Sequence, residues 1–278
     1  MFEKLSAAAR VNRSWLMVGL DPVLDKLPDG MRRDPSGALE FNRAIIAATS
    51  DLVIGYKPNF AFYEAMGPEG WHVLKKTRAA IPPDLFALGD AKRGDIGDTA
   101  EMYARAIFDV LGFDAATVSP YVGREGVQPF LDRRDRGSFV VCRTSNRENT
   151  FQDMDAGGEF LYERVAQAVV EWGDNVGLVV GATDVDALSR VRRIAPAVPI
   201  LVPGVGAQGG GLGAAVRAAV DAEGGNALIS ATRSVTYASS GHDFADAARA
   251  VASGLRDEIR SAAAGAVDRV GSAVPHDG

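Results

Sequence analysis

Eight short apolar runs recur along the chain: Trp15–Leu20, Leu52–Tyr56, Leu85–Gly89, Ala115–Ser119, Phe139–Arg143, Val176–Val180, Ile200–Pro203 and Ala227–Ala231. Nearly continuous apolar character over four to six residues is what a strand buried on both faces requires. The segments between them carry apolar residues at helical spacing. Ala100–Leu111 brings Met102, Ala106, Ile107 and Val110 to one side, and Glu159–Trp172 does the same with Phe160, Leu161, Val165, Ala168, Val169 and Trp172. Val185–Ile194 and Leu212–Val220 follow the same period. Strands alternating with helices predict a parallel sheet with right-handed crossovers. Eight repeats predict closure into a (β/α)₈ TIM barrel rather than an open doubly wound sheet. No linker divides the pattern, so residues 1–278 read as one barrel domain. Residues 1–14 read as a leading helix and His242–Arg260 as a closing one. Residues 261–278, which drift into Ala, Gly and Ser, read as a frayed tail.

Composition narrows the class. The 278 residues are 47% hydrophobic and 24% charged, enough for one large core. A net charge of −6 argues against nucleic acid or a membrane surface as the main partner, but leaves room for a small anion at a local cluster of Lys and Arg. One cysteine, Cys142, allows no internal disulfide, and no apolar run approaches the length of a membrane span. A cytoplasmic enzyme is expected. The three histidines, His72, His242 and His276, match no metal-ligand spacing, and no dinucleotide fingerprint follows the first run.

Polar residues gather where the runs end, and in such a barrel those ends form the active face. The first run ends in Gly19-Leu20-Asp21-Pro22, the second in Tyr56-Lys57-Pro58-Asn59 and the fifth in Arg143-Thr144-Ser145-Asn146. The third leads into Gly89-Asp90-Ala91-Lys92-Arg93-Gly94-Asp95-Ile96, with Thr99 beyond. Asp90 and Lys92 are two apart, so an extended strand points both to one side. Facing inward, they must meet each other or a ligand, because an unpaired buried charge costs several kcal/mol. Asp95 and Thr99 are four apart and would share a face of a helix starting near Gly94. Arg93 would then point outward. After the seventh run, residues 203–213 hold six glycines, with Gln208 and Gly209 among them, and Arg233 follows the eighth run. Exposed backbone N–H groups beside a bidentate guanidinium suit a phosphate, and barrel phosphate sites often use the loops after strands seven and eight.

Asp90-Ala91-Lys92-Arg93-Gly94-Asp95-Ile96 followed by Thr99 resembles the signature of the orotidine 5′-phosphate decarboxylase family, in its longer-chain, mainly bacterial branch. Gly19-Leu20-Asp21-Pro22, Tyr56-Lys57-Pro58-Asn59, the 203–210 segment and Arg233-Ser234 match in the same order, so the likeness spans residues 15 to about 240. The resemblance implies conversion of orotidine 5′-phosphate to uridine 5′-monophosphate without metal or cofactor, in a homodimer with shared sites. It implies a charged network of Lys57, Asp90, Lys92 and Asp95, with Asp95 and Thr99 reaching into the partner's site. Asp21 and Lys57 would contact the ribose, Gln208 with Gly209 and Arg233 the phosphate, and Thr144 and Ser145 the pyrimidine amide. Lys92, kept charged by Asp90 and Asp95, is the expected stabiliser and proton donor of a C6 carbanion. Three other readings share the polar core: a Mg²⁺-dependent sugar-phosphate decarboxylase of the same barrel group, a Schiff-base aldolase using Lys57 or Lys92, and a non-catalytic nucleotide-binding barrel.

Overall fold

The computed structural model describes residues 2–146, 148–205 and 211–272. Its strands are β1 (Leu16–Leu20), β2 (Gly55–Pro58), β3 (Phe86–Arg93), β4 (Ala115–Val118), β5 (Gly137–Arg143), β6 (Val176–Val180), β7 (Ile200–Pro203) and β8 (Ala227–Ala231). They pair in chain order as a closed barrel, all parallel, with β8 returning to β1. The helices are α1 (Phe2–Asn12), α2 (Pro35–Thr49), α3 (Phe60–Glu64), α4 (Pro68–Ala80), α5 (Gly97–Arg105, continued by one π-turn over Ala106–Val110), α6 (Gln128–Leu131), α7 (Leu161–Val170), α8 (Val185–Ile194), α9 (Leu212–Ala219), α10 (Arg233–Thr236) and α11 (Phe244–Ser272).

All eight apolar runs are strands, and two boundaries move in ways that matter. β2 reaches Pro58, which takes Lys57 into the barrel wall, and β3 extends to Arg93, so Asp90 and Lys92 are strand residues themselves. The expected tail is also displaced: α11 continues past Arg260 to Ser272, and residues 273–278 lie outside the described residues. Alanine is the best helix former, and Ala262 and Ala263 bury their methyl groups in the core, so the stretch has reason to stay helical. Helices α2 and α4 add to those read from periodicity. The Asp34 carboxylate accepts the N–H groups of Ser36 (2.9 Å) and Gly37 (3.0 Å) ahead of Pro35, a strong start signal for α2.

The N-terminal end of the barrel is closed by α1. Phe2 meets Phe139 edge to face with ring centroids 6.0 Å apart, and Lys4 reaches Asp114, just before β4, at 2.8 Å. The opposite end stays polar. There a side chain at Gly19 would stand 2.0 Å from the Thr232 hydroxyl, so glycine in β1 is what lets β8's end approach. Gly19 pairs with Lys57 across the β1–β2 ladder, which brings the first two strand ends to one level.

Candidate active site

At the mouth, Asp90 is buried and bonded on both oxygens. Oδ2 accepts from Lys57 Nζ at 2.7 Å and Oδ1 from Lys92 Nζ at 2.6 Å. Oδ1 also accepts the Thr117 hydroxyl at 2.9 Å, while the Thr117 oxygen receives the Lys92 backbone N–H at 3.0 Å. Lys57 is buried like Asp90, whereas the Lys92 side chain keeps 48% of its surface open. The central carboxylate is thus fixed, one lysine is sunk in the wall, and the other leans into open space.

Alternation along an extended strand is not what produces this arrangement. β3 uses four residues to go from Gly89 to Arg93 while β4 advances only two, from Ala116 to Val118. The extra length is taken up at Lys92, whose φ of 47° lies in the left-handed region. A bulge of this kind re-aims a side chain, and holding a non-glycine residue there costs about 1–3 kcal/mol. Arg93 packs away from the mouth, paired with Glu64 and lying over the Tyr103 ring at 5.2 Å.

Burial opposes ionisation of Asp90, but the Lys57 and Lys92 ammonium groups outweigh it and hold the carboxyl well below its ordinary range. Burial likewise works against the Lys57 charge, and Asp90 and Asp21 overcome it, so its pKa rises. Asp21 goes the other way from Asp90. Burial, with the Asp90 charge adding to it, raises its pKa despite Lys57 and the Asn59 N–H. That N–H reaches Asp21 Oδ1 at 3.2 Å.

The remaining expected residues separate into groups. Asp95 and Thr99 do not share a helical face. Gly97, at φ 53°, starts α5 with Ile96 as its cap, so Asp95 precedes the helix and accepts the Ile96 N–H at 2.8 Å. Asp95 forms no ion pair among the described residues, and Thr99 is exposed. The Thr144 hydroxyl is engaged with Asn146, Asn149 and Gln152, whereas Ser145 sits against Gly181 and Gly204, at the ends of β6 and β7. The 148–158 segment is tied down by Arg143, which holds Asp153 (2.9 Å) and also Asp184 (3.0 Å). Arg233 opens α10, is exposed and makes no ion pair among the described residues. Gln208 and Gly209 lie outside the described residues. Thr117 is the residue that the sequence reading missed. Its signal is a hydroxyl inside the otherwise apolar run Ala115–Val118.

No group of three or more His, Cys, Asp or Glu among the described residues is placed to hold a metal ion. A buried carboxylate shared by two lysines at the C-terminal end of a (β/α)₈ barrel defines a barrel enzyme that presents fixed, opposite charges to a small polar substrate. The chain belongs to the orotidine 5′-phosphate decarboxylase / HUMPS family, whose model matches residues 15–250. It is 48% identical over 264 residues to the orotidine 5′-phosphate decarboxylase of Dehalococcoides mccartyi, covering 92% of this chain and 96% of that protein. The enzyme of the same name from Herpetosiphon aurantiacus is 50% identical over 258 residues, covering 90% and 94%. Among solved structures, OMP decarboxylase from Leishmania donovani superposes with a TM-score of 0.84 at 39% identity, covering 94% of this chain and 98% of that one.

Proposed function

We propose that this chain decarboxylates orotidine 5′-phosphate to uridine 5′-monophosphate, the last step in making that nucleotide de novo, and does so in the cytoplasm. The observation that carries the reading is the Lys92 ammonium, held by Asp90 but half open to the barrel mouth. In the step, the bond from C6 to the carboxylate breaks, carbon dioxide departs, and the electron pair stays on C6. The ring carbonyls delocalise that pair poorly. A fixed positive charge beside C6 stabilises it, and the stabilisation is large because the charge is oriented before the reaction begins. Lys92 then passes one proton to C6 and is left as an amine, which solvent reprotonates. Asp90 holds the Lys92 ammonium in place through Oδ1 and stands near the departing carboxylate. The test is the fall of orotidylate absorbance with purified, EDTA-treated protein. Full turnover without metal is expected, and a strict need for added Mg²⁺ would move the chain to the sugar-phosphate reading.

In this reading Asp21 and Lys57 contact the ribose, Ser145 and Thr144 the pyrimidine amide, and Arg233 with Gln208 and Gly209 the phosphate. Ser145 is the better pyrimidine contact of the pair, because internal bonds occupy the Thr144 hydroxyl. Asp95 and Thr99 complete the site of a second copy. An apolar surface beside them supports this: Ile96 is 58% exposed, Tyr121 89%, and Met102 and Val122 are also open. Mixing inactive Lys92→Ala protein with inactive Asp95→Ala protein should restore activity, since each mixed dimer then has one site with both residues intact. No recovery after subunit exchange would place Asp95 in its own chain's site.

A further inference from the structure

Beyond Leu20 the chain leaves the β1 ladder, and Pro22 has no N–H to give. The peptide groups around Asp21 are held instead by two phenols from distant parts of the chain. Tyr63 in α3 donates its hydroxyl to the Leu20 carbonyl at 2.8 Å and accepts Asn42 Nδ2 at 3.0 Å. Tyr237, which follows α10, accepts the Val23 N–H at 2.8 Å and makes a longer contact, 3.4 Å, with the Asp21 carbonyl. Both rings are themselves fixed. Tyr63 is fully buried, and Tyr237 stacks on Phe41 with centroids 5.5 Å apart and planes 22° apart. The cap residue of α3, Asn59, gives its N–H to the Asp21 carboxylate, so α3 grips both the backbone and the side chain. On the other side, the Tyr237 N–H returns to the Arg233 carbonyl at 3.1 Å.

We infer that Tyr63 and Tyr237 are positioning residues, whose hydroxyls clamp the backbone on either side of Asp21 so that its carboxylate meets the sugar hydroxyls of the substrate at a fixed place. The inference rests on the ribose reading of Asp21 made above. Two features separate the clamp from ordinary core packing. Tyr237 spends its hydroxyl on the backbone of the Asp21–Val23 turn rather than on its own helix. Through one short helix it also ties that turn to Arg233, so the sugar and phosphate contacts share a frame. Burial raises the pKa of both phenols, which keeps them protonated and able to donate.

The test compares orotidine 5′-phosphate with its 2′-deoxy and 3′-deoxy analogues in wild type, Asp21→Ala, Tyr237→Phe and Tyr63→Phe, reading kcat/KM for each. Wild type should disfavour at least one analogue by roughly 10²-fold, because a site built to bond a hydroxyl rejects the substrate that lacks it. Asp21→Ala should erase most of that preference. Each Tyr→Phe variant should reduce it to below about tenfold, mainly by slowing the natural substrate. A purely structural loss would slow all three substrates alike and leave the preference unchanged, which would overturn the clamp while leaving the ribose reading intact. Equal preference in wild type and Asp21→Ala would instead remove the ribose reading, and the clamp with it. Tyr237 is only half-buried, so its variant keeps the test decisive should Tyr63→Phe fail to fold.

Discussion

Both ends of the barrel bury a cation, and they treat it in opposite ways. At the N-terminal end, Arg192 of α8 is enclosed and bonds to no carboxylate among the described residues. Its guanidinium donates to the carbonyls of Ala219, Ala195, Pro196, Val198 and Asn226, at 2.8 to 3.2 Å. Burial lowers its pKa to about 10, with Asp221 opposing, and it remains charged at neutral pH. At the C-terminal end, Lys57 and Lys92 lean on a single carboxylate, and Lys92 keeps half its surface open. The first cation is engaged by five backbone carbonyls, from the connection between α8 and β7, from α9 and from the residue before β8. The second pair has capacity to spare. A charge saturated by its own chain holds loops together, whereas a charge left partly unsatisfied is free to act on something else.

Lys92→Ala should break this contrast most sharply. Loss of both the electrostatic stabiliser and the proton donor should lower kcat by at least about 10⁴-fold, while calorimetric binding of uridine 5′-monophosphate persists. Retained turnover would show that the open lysine is not the acting one. Arg192→Met should do the reverse. It strands buried carbonyls and should cost about 3–5 kcal/mol of stability, measured by urea unfolding, with kcat at 15 °C within about twofold of wild type. A large fall in kcat would mean that the two ends are mechanically coupled.

The smallest effect concerns Asp21, and its sign differs from that of its neighbours. Asp90 has a depressed pKa, so its contribution to stability is present above its ordinary value of 3.8 and lost as pH falls through the native value. Lys57 has a raised pKa, so its contribution is present below 10.5 and lost as pH rises through the native value. Asp21 is an acid with a raised pKa, so its ionised form costs stability once pH exceeds 3.8. Asp21→Asn should therefore raise Tm at pH 7 by about 2 °C while lowering kcat/KM, the usual exchange at a functional site. An unchanged or lower Tm would mean that its bond to Asn59 outweighs its burial.

Much of the barrel could be read from apolar runs and their spacing, since a strand covered on both sides must be apolar along its length. The candidate site was legible where residues are close in sequence. Asp90 and Lys92 do meet at the mouth, although through a bulge and a left-handed Lys92 rather than through simple alternation. Strand pairing and backbone hand are tertiary matters that two residues' spacing does not encode. Thr117 carried only a faint signal. Tyr63 and Tyr237 carried none, since one lies 43 residues from Leu20 and the other 214 from Val23. The start of α5 was misplaced because Gly97, not Gly94, takes the left-handed turn. Past Arg260 the sequence loses its large apolar residues without losing the helix, because small alanines suffice to keep α11 packed.

The doubly held carboxylate of Asp90 has a consequence for the catalytic cycle. In the cycle proposed above, the ion pair on Oδ1 is lost when Lys92 gives up its proton, while Lys57 on Oδ2 and the Thr117 hydroxyl remain on the carboxylate. In that proposed cycle Lys57 is a standing counterweight to Asp90. Each turnover begins and ends with the same negative group neutralised from the wall side, and recharging the enzyme requires only one proton from solvent at the exposed amine.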